Sequence, residues 1–232
     1  NENSSINVNM PNVLRFLALL VFVSFSSVLA TAASPEERAP LPKDRAALSN
    51  RLAVAGKVIR VGASHEIRTL RAAAKIARDG DIIELDSGDY KGDNAVWTQN
   101  DLIIRGTGTR SRLVADGQAA EGKGIFVIKG GNVTIENLGF FGARVRDRNG
   151  AGIRFEGGRL NVRDCRFLDN ETGILTGNDG RSELFLESCE FEGRAQPVDG
   201  FTHNLYVGAI GRFVMQACWS HHANTGHLVK TR

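Results

Sequence analysis

The chain has 232 residues, with 29 Lys and Arg against 26 Asp and Glu for a net charge of +3. A mixed field of this kind argues against a nucleic-acid partner, whose binder concentrates its cations on one face. Hydrophobic content of 42% suffices for a core, and 26 glycines with only 5 prolines favour a turn-rich β protein over a helical bundle.

The first predicted element is a leader. Arg15 precedes the apolar run FLALLVFV and, further on, the small-residue triplet Ala30-Thr31-Ala32. This order of charge, apolar run and small residues reads as a secretory signal peptide over residues 1–32, with cleavage expected after Ala32. The strictly apolar stretch is too short to span a bilayer. No membrane partner is therefore expected beyond it, and the mature protein is expected to be exported, periplasmic or secreted. Residues 33–56, rich in Ala, Pro and charge, read as a linker.

Next comes TLRAAAKIARDGDIIELDSGDY. Leu70, Ala73, Ala74 and Ala77 share one face of a predicted helix, Gly80 is the expected C-cap, and Ile82–Leu85 form a buried strand. From there the sequence repeats itself. VTIENLGF, LNVRDCRF, LFLESCEF and FVMQACWS share one frame, with Leu138, Cys165, Cys189 and Cys218 in the same position, at steps of 27, 24 and 29 residues. Alternation assigns the inward side chains. They form the columns Val133, Leu160, Leu184 and Phe213; Ile135, Val162, Leu186 and Met215; and Phe140, Phe167, Phe191 and Ser220. Asn137, Asp164, Ser188 and Ala217, just ahead of the frame position, suit a tight bend. The three cysteines are an odd number without the close spacing of a metal site, and they read as small inward hydrophobes.

A second strand phrase recurs as GIFVI, GIRFE, GILTG, NLYVG and HLVKT, with expected inward leaders Ile125, Ile153, Ile174, Leu205 and Leu228. Like residues stacked over like, with glycine-rich bends between strands, describe an all-β parallel solenoid. The Leu-x-x-Leu-x-Leu-x-x-Asn pattern of a leucine-rich repeat is absent. The amphipathic helix then has a purpose, since an open solenoid end exposes apolar columns and unpaired edges.

The helix, the Gly-Asp entry to the strand and the recurring GI…L.V.DC.F phrases together resemble the right-handed parallel β-helix proteins of the pectate-lyase superfamily over residues 57–232. The closing HNLYVG…HLVKTR is similar to an exported bacterial subgroup of these proteins with no assigned chemistry. The resemblance implies a right-handed, single-stranded β-helix with an N-terminal capping helix. It also implies further coils, so the domain is expected to be incomplete at its C-terminus. The scaffold carries lyases, hydrolases, esterases and adhesins alike, and so leaves the activity open.

In the lyases of this superfamily a cation neutralises a uronate carboxylate and a base removes the adjacent proton. Four of the five histidines lie beyond residue 200, alongside further polar and cationic side chains. Lys230 or Arg232 is the expected base, Tyr206 the acid or stacking platform, and His203 a neighbour at the bend. Asn204, stacked over His227, and His222 are the expected substrate contacts. Tyr206 is expected over Val229, and Lys230 at the strand end. Calcium is compatible with such chemistry, but no clear ligand set appears, because adjacent coils present no outward Asp pair. A polygalacturonase-like hydrolase needs a Gly-His-Gly turn and clustered acids, whereas Gly226-His227 is followed by leucine. Two readings remain: an exported lyase acting on uronate-containing polysaccharide, or a non-catalytic β-helix that binds acidic glycan or serves in assembly.

Overall fold

The structure is a computed structural model and describes residues 56–194 and 202–232. The expected leader and all but the last residue of the expected linker lie outside these residues. Among the described residues no helix is long and apolar enough to cross a membrane.

The chain enters through β1 (Val58–Val61) and α1 (Leu70–Ile76). Three coils follow: β2 (Ile82–Leu85), β3 (Asp89–Lys91), β4 (Ala95–Trp97); β5 (Ile103–Gly106), β6 (Ser111–Val114), β7 (Gly124–Ile128); and β8 (Val133–Glu136), β9 (Leu138–Phe141), β10 (Ala151–Phe155). Three more come after them: β11 (Arg159–Arg163), β12 (Arg166–Leu168), β13 (Thr172–Thr176); β14 (Glu183–Glu187), β15 (Glu190–Glu192), β16 (His203–Val207); and β17 (Arg212–Gln216), β18 (Trp219–His221), β19 (Lys230–Thr231). First strands of successive coils stack in a seven-stranded parallel sheet that begins with β1, and second and third strands stack in two six-stranded parallel sheets. The result is a right-handed β-helix.

The frame residues set the register. Leu160 pairs with Val133 and Leu184, and Leu184 with Phe213, while Val162 stands between Ile135 and Leu186. In the second sheet Phe167 stacks on Phe140 and Phe191, with ring centroids 4.9 and 4.7 Å apart and planes within 6° of parallel. Offset stacking of this kind stabilises beyond burial by about 0.5–1.5 kcal/mol per pair. The bend before each frame residue is left-handed, with φ of 53°, 49°, 54° and 51° at Asn137, Asp164, Ser188 and Ala217. Asn137 shows why a short polar side chain suits this site: its amide donates to the carbonyls of Gly106 and Gly108 at 3.1 and 3.0 Å. Burial pushes the Cys165 thiol well above its ordinary range and that of Cys189 up to about 12, so both stay protonated as core residues.

Helix α1 seats Leu70 and Ala73 in the core at the start of the solenoid. Thr69 caps it by accepting from the Ala72 N–H, and the Asp93 carboxylate accepts from the N–H groups of Leu70 and Arg71. The helix ends sooner than expected. Its C-cap is Ala77, not Gly80, which instead takes a positive φ of 83° in the turn that leads into β2.

Two registers in the third sheet also differ from expectation. Ile153 pairs with Phe126 rather than Ile125, because all five residues of GIFVI are buried and alternation is lost there. In the last coil Tyr206 pairs with Lys230, and Val207 with Thr231. That slips the expected register by one residue: Leu228 is 46% exposed rather than an inward leader, and Lys230 lies on the outward face.

Candidate functional site

On the outward face of the third sheet, pairing sets Val96, Val127, Arg154, Leu175, Tyr206 and Lys230 side by side. Parallel strands lie about 4.8 Å apart, so Arg154 and Lys230, three coils apart, are about 14 Å from each other along the axis. At the C-terminal end of this ladder two cations approach one aromatic ring. Lys230 Nζ lies 5.1 Å and Arg232 Cζ 5.4 Å from the Tyr206 ring centroid. Tyr206 and Lys230 are half-buried and Arg232 is exposed.

Several other cations are matched with carboxylates. Glu84 meets Arg60 and Arg105, Arg163 meets Glu136 and Glu187, and Arg166 meets Glu190 and Glu192. Among the described residues neither Lys230 nor Arg232 has a carboxylate within ion-pair distance. Among the described residues the partner of both charges is the face of the Tyr206 ring.

His203 and His227 adjoin this trio. The His203 ring centroid is 5.6 Å from that of Tyr206 and 5.0 Å from that of His227. His203 is only 5% exposed, and its Nδ1 accepts the His227 backbone N–H at 3.0 Å. Burial, then the neighbouring Lys230 charge and His227, push its pKa down to about 4, so it is neutral at ordinary pH. His203, expected as a catalytic group, is thus a neutral, buried imidazole with one nitrogen already occupied. His227 stacks against His203 and not over Asn204, since the last strand sits one residue out of the expected register.

Asn204 departs furthest from expectation. It is buried, and its amide donates to the carbonyls of Phe191 and His221 at 3.1 and 2.7 Å and to Ser220 Oγ at 3.1 Å. The backbone at the start of β16 bends so that His203, Asn204 and Leu205 are buried in succession, and Asn204 cannot contact substrate. His222 lies on the second sheet, away from the tyrosine ladder. There it groups with His221 and Glu192, whose ligand atoms lie within 4.8 Å of one another. Two imidazoles in such a group suit a transition metal and not calcium, which prefers oxygen ligands throughout. The doublet His221-His222 reads in sequence as a bend; its carboxylate partner comes from the preceding coil and becomes visible only once the coils are stacked.

A family model described as "Right handed beta helix region" matches residues 94–230. No curated protein matches the chain. Among solved structures, the chain is similar to a mutant pectin methylesterase crystallised in complex with a hexasaccharide, at 14% identity and a TM-score of 0.40. The likeness covers 69% of this chain and 66% of that one, and a superposition so loose assigns no residue a role.

Proposed function

The chain belongs to the right-handed β-helix family, and from that premise we propose that its domain over residues 57–232 is an exported β-helix that engages acidic polysaccharide along the third sheet. One observation carries the reading. Lys230 and Arg232 converge on Tyr206, and among the described residues no carboxylate lies within ion-pair distance of either. An anionic sugar would place a carboxylate between the two cations. Export is supported by Arg15, the apolar run that follows it and the triplet Ala30-Thr31-Ala32. Mass and N-terminal sequencing of protein recovered from outside the cytoplasm test it: the mature chain should begin at Ala33.

A second reading is favoured by the same geometry. β-Elimination requires positive charge against the uronate carboxylate and a group that accepts the adjacent C–H proton. Arg232 would neutralise the carboxylate, the Lys230 amine would take the C–H proton, and the Tyr206 O–H beside them would give its proton to the departing glycosidic oxygen. Pectate, alginate and glycosaminoglycan are the polymers to test, by affinity electrophoresis for binding and by ultraviolet absorbance of unsaturated product for cleavage. Binding that falls in a Lys230→Gln/Arg232→Gln variant supports recognition. Product that disappears in Tyr206→Phe while binding persists supports the lyase. Equal mobility of wild type and double variant in every polymer would rule out both.

A further inference from the structure

The cluster at the end of the second sheet brings together His221, His222 and Glu192, whose ligand atoms lie within 4.8 Å of one another. His221 Nδ1 lies 2.8 Å from His222 Nδ1, and His222 Nδ1 lies 3.7 Å from Glu192 Oε1. Adjacent residues of a strand point to opposite faces. His222 escapes that rule because it has left the strand with φ of 53°, which brings its ring back beside that of His221. The bend that follows the second strand also takes a positive φ in two earlier coils, at Gly142 after β9 and at Asp169 after β12, with φ of 72° and 56°.

The surroundings fix which atoms are free to bind. His221 Nε2 faces Glu190 Oε1 at 3.3 Å, so the ring proton belongs on Nε2 and the Nδ1 lone pair points at His222. A carboxylate on the far nitrogen of a histidine is the usual second support of a metal-bound imidazole. Arg166 reaches the other oxygen of both acids, Glu190 Oε2 and Glu192 Oε2, each at 3.1 Å, and so leaves both Oε1 atoms directed at the histidines. Trp219 stacks on His221 with ring centroids 3.8 Å apart and holds that ring in place. At 2.8 Å the two imidazole nitrogens are within hydrogen-bond distance, and the proton shared between them occupies the place a metal ion would take.

We propose that His221 Nδ1, His222 Nδ1 and Glu192 Oε1 bind a divalent transition metal of the zinc class, with Glu190 as the carboxylate that orients His221. Two histidines, one carboxylate and an open fourth position suit that class of ion, at metal–ligand distances of about 2.0–2.2 Å. The ligands come from consecutive coils, so the ion also ties β15 to the bend after β18. This inference is independent of the polysaccharide reading, since it uses none of Tyr206, Lys230 or Arg232.

The test uses chelator-stripped full chain without a histidine tag, titrated calorimetrically with Zn2+ and with Ca2+, and with Co2+ for its visible absorption. The expected result is one Zn2+ per chain and a raised Tm, with a Co2+ spectrum displaced by Zn2+. Glu190→Gln should weaken Zn2+ binding by about 10–100-fold. His222→Asn should abolish it, in a variant that still folds because Asn tolerates the left-handed conformation. His65→Asn, a histidine outside the cluster, should leave affinity unchanged. Absence of Zn2+ binding to the wild type, tighter binding of Ca2+, or equal affinity in His222→Asn and His65→Asn would each overturn the assignment.

Discussion

Replacing Asn204 with alanine separates a structural role for this residue from a role in binding. The side chain is 5% exposed and lies against three acceptors: the Phe191 carbonyl, the His221 carbonyl and Ser220 Oγ. An amide NH2 has two hydrogens, so two of these bonds are fully made and the third shares a proton. Each net bond contributes about 1 kcal/mol, and each buried acceptor left without a partner costs about 1–3 kcal/mol more. The His221 carbonyl keeps the Gly193 N–H at 3.2 Å and the Phe191 carbonyl stays in the β15–β18 ladder, so only the amide's own bonds are lost. Asn204→Ala should therefore cost about 1–2 kcal/mol. Urea unfolding followed by circular dichroism measures it, with an unchanged m-value showing that the loss lies in the folded state. Acidic-polysaccharide affinity at temperatures where the variant is folded should match the wild type. A loss of stability below about 1 kcal/mol together with lost binding would return Asn204 to the substrate surface and refute the inward geometry.

Three more outcomes follow from the same structure. Below pH 6.5 the unfolded chain protonates His203 while the folded chain resists until about pH 4, so its contribution is intact above 6.5 and is lost as pH falls towards 4. Wild-type stability should fall through that window by up to about 1.4 kcal/mol per pH unit more steeply than that of His203→Gln, measured by denaturant midpoints at each pH; parallel curves would show that burial does not hold His203 neutral. In native protein a thiol reagent should label Cys218, which is part-exposed, while Cys165 and Cys189 react only on unfolding; mass spectrometry of the labelled peptides decides it. Ala217 occupies the left-handed bend at φ 51° that Asn137 fills in an earlier coil, so Ala217→Asn should raise stability by about 1 kcal/mol, read as a higher urea midpoint, and a lowered midpoint would contradict the bend strain.

The solenoid was legible because its cause is local. Alternation marks which side chains point inward, and the returning frame at Leu138, Cys165, Cys189 and Cys218 says which of them stack. Both fail where neighbouring residues are alike or where the backbone bends. In GIFVI every residue is buried, so period two gives no phase and Ile125 is mistaken for Phe126. At the end of the chain Leu228 imitates Leu205, yet Tyr206 pairs with Lys230, and that slip of one residue moves Lys230 from the strand end to the face it shares with Tyr206. The same bend turns Asn204 inward, against the parity that made it a surface residue. The histidine doublet became a metal-like group only through Glu190, Glu192 and Arg166 of neighbouring coils, contacts that depend on stacking register and on a positive φ at His222. Chemistry made of side chains from different coils is readable in sequence only as far as the register is known to the residue.

The central claim is that the charges of Lys230 and Arg232 recognise the carboxylates of an acidic glycan. Calorimetric titration with an oligogalacturonate and with its fully methyl-esterified counterpart tests this most directly, because the two differ in charge and little else. The account predicts that the free acid binds, more weakly as salt rises, and that the ester does not. Equal affinity for both, or affinity indifferent to salt, would contradict it.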